Sequence, residues 1–212
     1  ADQSGVLDFA KIYGEEFKDF WRLNYGVAYA YTEVEGFSGS YVLLLGAEDY
    51  VSVFHNGRRL YTRLVARRFS EDFDVVPLEL TGRDSLLFKV GRLAGRWLLK
   101  AKIVEAGEPF YVNLRRVIAP TPVRGSKTGF WVSLHITALR DLDSLRVECV
   151  EDDMWYGCEA DLGRVLAGER LSVPLYISPK KPINPEGDFA EVSVKVSGGG
   201  AERVYKLSLR VV

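Results

Sequence analysis

Only two histidines, His55 and His135, occur in this chain of 212 residues, beside two cysteines and one methionine. So few imidazoles exclude a histidine-rich metal centre, and they leave a serine-hydrolase arrangement only two candidate bases. Charge of one sign is missing as well. Lys and Arg number 28 and Asp and Glu 29, so no global field exists to recruit nucleic acid or an anionic membrane surface. Long hydrophobic runs are absent: the longest, Tyr41 to Leu45, is strand-sized and far short of the roughly 20 residues that cross a bilayer. The opening Ala-Asp-Gln-Ser-Gly lacks the charged and apolar regions of a secretory signal. It suits either an end left by cleavage or a chain that never carried a signal.

What the chain has in quantity is strand-forming material, with 47% hydrophobic and 12% aromatic residues. Helical periodicity is confined to Leu7 to Leu23, where Phe9, Ile12, Tyr13, Phe17 and Phe20 approximate a 3.6-residue stripe interrupted by Gly14. From Val27 onward the signals are those of strands: Val27 to Thr32, Ser40 to Leu45, Tyr50 to Phe54, Arg58 to Val65, Asp74 to Leu80, Ser85 to Val90 and Arg96 to Ile103. Asn56-Gly57 joins two of them, and both central positions of a type I′ turn need positive φ, which this pair supplies. Glu105-Ala-Gly-Glu-Pro109 then interrupts strand pairing and marks a domain border. Beyond it strands are expected at Tyr111 to Ile118, Gly129 to Ala138, Ser144 to Val150, Glu169 to Ile177, Ala190 to Val196 and Val204 to Val211, with Ser197-Gly-Gly-Gly as a hairpin turn. The expectation is an all-β chain of two β-sandwich domains, 1–106 and 107–212.

The order Asp49-Tyr-Val-Ser-Val-Phe-His-Asn-Gly57, the acidic pair Asp72 and Asp74, then Val76-Pro-Leu-Glu-Leu, Ser85-Leu-Leu-Phe-Lys-Val and Gly95-Arg-Trp resembles the galactose-binding-like jelly-roll modules attached to glycoside hydrolases, esterases and peptidases. The resemblance covers about residues 25–104. More loosely, Gly129-Phe-Trp-Val-Ser-Leu with Leu166-Ala-Gly-Glu-Arg-Leu-Ser-Val resembles immunoglobulin-like and fibronectin-like modules of extracellular proteins. These resemblances imply a non-catalytic accessory module that recognises carbohydrate or a cell surface, outside the cell. An architectural region of a larger hydrolase, with another domain of the same polypeptide as its partner, is the alternative. The close on Val211-Val212 without a polar tail suits a segment bounded by a domain border.

Sugar recognition needs flat aromatic faces and polar side chains in a shallow concavity. Trp21 and Tyr25, with Asp49, Arg63, Arg67 and Arg68 in or near the loops, are the candidate ligand residues. Tyr29 and Tyr31 share one strand face and are assigned to the core; the jelly-roll resemblance implies a packing role for Trp97 in Gly95-Arg-Trp. Asp72 and Asp74 are expected on one face of an extended strand. The jelly-roll resemblance implies a structural calcium there, against which stands ion pairing with Arg63, Arg67 or Arg68; no cofactor is otherwise required. Met154-Trp155-Tyr156, inside an acidic loop, reads either as a contact surface at Trp155 and Tyr156 or as a loop folded back on its own domain. Cys149 and Cys158 flank that loop, either as a disulfide or as two buried thiols. Catalysis finds no constellation. Gly36-Phe-Ser-Gly-Ser40 lacks the final Gly and the helix of a nucleophile elbow, and His55 and His135 read as turn and strand residues.

Overall fold

The computed structural model describes residues 4–13, 25–93 and 96–212. Among these residues it is all-β apart from a five-residue helix and a 3-10 turn, and the chain divides into two units, Ala1–Glu105 and Ala106–Val212.

The first unit contains β1 (Leu7–Asp8), α1 (Phe9–Tyr13), β2 (Gly26–Ala47), β3 (Tyr50–His55), β4 (Arg58–Arg63), β5 (Asp74–Arg92) and β6 (Leu98–Glu105). The strands form one hydrogen-bonded sheet in the order β1-β6-β2-β5-β3-β4. The segments expected as four strands are two long ones, since β2 and β5 pair from Gly26↔Arg92 to Leu45↔Asp74 with one interruption. Register shifts between Glu35 and Ser38, and Gly36, Gly39 and Gly82 have φ of 80°, 106° and 107°. Glycine adopts such angles without a Cβ clash, so the ribbon bends there where a turn was expected. Leu43, Leu45, Val76 and Leu78 from one half of the ribbon then share a core with Ala28, Leu86, Phe88 and Val90 from the other. Trp97 closes this core, its Nε1 donating to the Val90 carbonyl at 3.1 Å, with Phe9 and Tyr13 of α1 against its ring. Of the expected stripe, Phe9 is buried and Tyr13 half-buried on α1 while Ile12 is exposed; Phe17, Phe20 and Trp21 lie outside the described residues.

The second unit contains β7 (Phe110–Val112), β8 (Phe130–Ala138), β9 (Leu145–Cys149), β10 (Cys158–Asp161), β11 (Arg170–Ile177), β12 (Phe189–Gly198) and β13 (Ala201–Arg210). Two sheets, β11-β8-β7 and β10-β9-β12-β13, enclose one core that includes Val132, Leu134, Ile136, Val173 and Leu175 from the first and Val147, Val192, Val194, Leu207 and Leu209 from the second. The strand expected over Tyr111 to Ile118 stops at Val112. Asn113 caps a 3-10 turn at Leu114–Arg116, and the chain returns to the sheet only at Ile118, which bridges Ser133. The short β10 escapes sequence reading because four residues, Cys-Glu-Ala-Asp, carry too little alternation. It sets Cys158 opposite Cys149, and the structure joins them in a disulfide across β9 and β10, Cα to Cα 4.7 Å.

Candidate functional site

Three of the six sequence-nominated ligand residues of the first unit, Asp49, Arg63 and Arg67, form an internal clasp with Asp74. Asp49 is 6% exposed and Arg63 8%. Arg63 Nη1 donates to Asp74 Oδ2 at 2.5 Å and Arg67 Nη2 donates to the same oxygen at 2.6 Å. Nη2 of Arg63 also donates to the carbonyls of Ala47 and Asp49, and Asp49 Oδ2 accepts from the Leu93 amide at 2.7 Å. The clasp ties the turn after β2, the end of β4 and the start of β5 together. Asp49 and Arg63 are therefore corrected from ligand contacts to buried structural groups. Arg67 is half-buried over the ring of Phe73, while Arg68 and Tyr25 are exposed. The 69–71 segment crosses β2 so closely that a Cβ on Gly46 would lie 2.6 Å from the Ser70 carbonyl oxygen.

These residues do not fit a calcium ion. Asp72 has φ 52° in the turn before β5, so it is not extended and, contrary to the sequence expectation, does not share a strand face with Asp74. A cation at Asp74 would face two guanidiniums already on its oxygen. Among the described residues no group of three or more His, Cys, Asp and Glu is placed to hold a metal.

His55 latches a turn, and His135 sits within a strand. Asn56 and Gly57 have φ 50° and 76°, as a type I′ turn requires, and the turn is latched onto β5 by Asp84. The Asp84 carboxylate accepts from His55 Nε2 and Asn56 Nδ2, each at 2.8 Å, from the Thr81 hydroxyl at 3.0 Å and from the Thr81 amide at 2.7 Å. Burial alone raises its pKa; the Thr81 amide, Asn56, His55 and the Thr81 hydroxyl together outweigh that and hold the carboxyl well below the ordinary range. A folded pKa below the unfolded one gives stability that is present above the unfolded value, about 4, and lost as pH falls toward the folded one. Asp84→Asn is expected to flatten the acid limb of the stability curve. Urea titrations between about pH 2.5 and 7 with parallel wild-type and variant curves would refute it. The groove beside His55 is lined by Asn56, Arg58, Arg59 and Leu60, none of which is a hydroxyl or thiol nucleophile. His135 is half-buried on β8; burial first, then the Arg116 charge, push its pKa down.

In the acidic loop of the second unit Trp155 has no exposed surface. Its Nε1 donates to the Glu191 carbonyl at 2.7 Å, its ring meets Phe130 edge-on, and Asp152 Oδ1 accepts from the amides of Met154 and Trp155. Trp155 is thus core, folded back over its own unit, whereas Tyr156 is exposed beside Lys180.

Beside Phe37, Tyr156 and Phe189, the exposed aromatic residues among the described ones lie on two strand faces. On β2, Val27, Tyr29 and Tyr31 point outward, as does Tyr25 just before it, and Ala28 and Ala30 point in. Tyr29 and Tyr31 are therefore corrected from core to surface: one strand face can be buried, and the small alanines lie on the side of Phe88. On the outer face of β8 and β11, Trp131 and Tyr176 stand directly opposite, 63% and 46% exposed, with ring centroids 5.2 Å apart. A Cβ on Gly129 would lie 2.6 Å from the ring of Tyr176, so glycine lets that ring lie against the chain. Beside the rings, Ser133 and Ser172 share a 2.7 Å hydroxyl contact. The sequence signal for this pair was the alternation of Phe130–Ala138, which sets Trp131 on the polar face with Ser133 and His135.

No family model matches the chain and no curated protein matches it. Similar solved structures include the exo-chitosanase CsxA of Amycolatopsis orientalis, 12% identical with a TM-score of 0.48 over 86% of this chain and 25% of that one. Others are a beta-glucuronidase of Bacteroides uniformis, 10% identical with a TM-score of 0.45 over 87% and 26%, and a GH2 beta-galacturonidase from Eisenbergiella tayi, 15% identical with a TM-score of 0.47 over 92% and 37%. The chain spans between 25% and 37% of the length of these structures.

Proposed function

We propose that the chain is a non-catalytic accessory module that recognises carbohydrate, on a cell surface or free, through the outer face of β8 and β11. The observation that carries this reading is the exposed Trp131–Tyr176 pair. Two large rings are held open to solvent on a rigid sheet, next to a hydroxyl pair, and pyranose C–H faces stack on such rings while hydroxyls bond to polar neighbours. The strand orders support the finer assignments. Three strands against four, β11-β8-β7 and β10-β9-β12-β13, follow the E-B-A and C′-C-F-G arrangement of an immunoglobulin-like sandwich. The bent ribbon of the first unit, with its Asn56-Gly57 hairpin, supports the jelly-roll assignment. The disulfide supports an extracellular or cell-surface location.

A second reading, an architectural region of a larger hydrolase, draws on the outward row of Tyr25, Val27, Tyr29 and Tyr31, since contiguous exposed apolar surface marks contact sites. Glycan-array binding followed by titration calorimetry separates the two. Trp131→Ala is expected to weaken the selected glycan about tenfold or more, which corresponds to roughly 1.4 kcal/mol, while leaving the fold intact because the side chain is exposed. Equal binding by wild type and variant counts against the platform. An array silent for the wild type leaves the architectural reading.

A further inference from the structure

The last strand of the second unit has an unused edge. β13 pairs with β12 on one side only, at the end of the order β10-β9-β12-β13. The two-residue loop Gly199-Gly200 is closed by the pair Gly198↔Ala201, and such a closing pair is hydrogen-bonded. Hydrogen bonding alternates along an antiparallel ladder, so the odd-numbered residues of β13 bond to β12 and the even-numbered ones turn their N–H and C=O outward. The flanking bonds confirm this parity. Val211 donates to Asp188 on the β12 side, whereas Val212 donates to Pro122 and accepts from Arg124 on the outer side. The same outer groups of Lys206, Ser208 and Arg210 have no backbone partner among the described residues.

A groove of about 400 Å³ runs along this edge, between Leu114, Val117, Ala119, Pro120 and Thr121 on one wall and residues 206–210 on the other. Five consecutive strand residues can border one groove only if it lies along the strand edge, because successive side chains point to opposite faces. The groove carries two cations, Lys206 and Arg210, and no carboxylate lines it. The two sit four residues apart on one face, about 13 Å at strand rise. Lys206 reaches Glu191 on β12 at 3.2 Å, and both partners remain largely exposed.

We propose that this groove binds an extended acidic peptide segment of a partner protein, which adds to β13 as a further strand. Backbone groups at a two-residue repeat match another strand, and acidic side chains at alternate positions match Lys206 and Arg210. A second copy of the chain suits the edge less well. Arg203, Lys206 and Arg210 on β13 stand against one acid, Glu202, so a self-paired edge would set cations against cations.

The test uses a fluorescein-labelled peptide of alternating glutamate and valine, about seven residues long to match the edge, and anisotropy titration of the 212-residue chain. Saturable binding is expected, weakened by salt, and a lysine–valine peptide is expected not to bind. Ser208→Pro removes an outward N–H without touching the β12 ladder, where proline is tolerated at an edge, and should weaken binding more than about tenfold. The double variant Lys206→Glu/Arg210→Glu, both exposed, should do the same and serves if the proline variant fails to fold. Slowed exchange of the Lys206, Ser208 and Arg210 amides on adding peptide would support the strand geometry. Absence of saturable binding, or binding unchanged in the double variant, overturns the proposal. So does a concentration-dependent dimer in light scattering that Ser208→Pro or the double variant abolishes, which would assign the edge to a second copy.

Discussion

Trp155→Ala is expected to unfold the second unit under mild denaturant. A Trp-to-Ala change in a core costs about 3–5 kcal/mol, a large part of the 5–15 kcal/mol that a typical domain possesses. Here the ring has no exposed surface and meets Phe130 edge-on, so its removal leaves a cavity that the facing sheets, tied by their ladders, cannot close. A second cost is polar. The Glu191 carbonyl loses its indole donor, and β9 does not reach that far along β12, pairing only with Val194 to Gly198. Trp155→Phe keeps most of the apolar volume and loses the donor, so its cost should be smaller, about 1–3 kcal/mol. Urea unfolding followed by far-UV circular dichroism measures both. If Trp155→Ala left the transition of this unit where it is in the wild type, the ring would not be holding the two sheets together.

Trp155 also marks where sequence reading stops. An aromatic residue between acids in a loop looks the same whether the loop projects or folds back. What decides is the anchoring: Asp152 accepting from the Met154 and Trp155 amides, and the bridge from Trp155 to Pro179, both set by chain path. Tyr29 and Tyr31 make the same point for a strand. Alternation separates two faces without saying which is buried, and size misleads here, since the alanines face in. The Asn56-Gly57 hairpin, the Gly199-Gly200 turn and most strands from β3 onward were legible because positive φ and period-two alternation are local properties. The union of four expected segments into β2 and β5 was not. Glycine at Gly36, Gly39 and Gly82 signals a break in pairing equally well as a turn or as a bend, and only the shared core chooses.

The clasp at Asp74 was half legible. Its charged residues were named correctly, and ion pairing was weighed beside ligand and calcium binding; burial is what sets their role. Arg63 and Asp74 side chains are only 8% and 3% exposed, so each charge depends on its partners for the solvation it has lost. Asp74→Ala is therefore expected to cost about 3–5 kcal/mol, the range for stripping one partner from a buried pair, because Arg63 would keep two carbonyl acceptors and no anion. Asp74→Asn retains an acceptor oxygen while losing the charge and should fall in between. The double variant Arg63→Met/Asp74→Leu removes both charges and should recover a good part of the loss, since apolar replacement of a buried pair is often neutral. Chemical denaturation of the first unit gives the three values. Repeating it at high salt should change them little, because buried pairs are poorly screened. A loss below about 0.5 kcal/mol for Asp74→Ala, the scale of an exposed pair, would mean that water reaches this site and that the clasp does not fix the turn between β2 and β3.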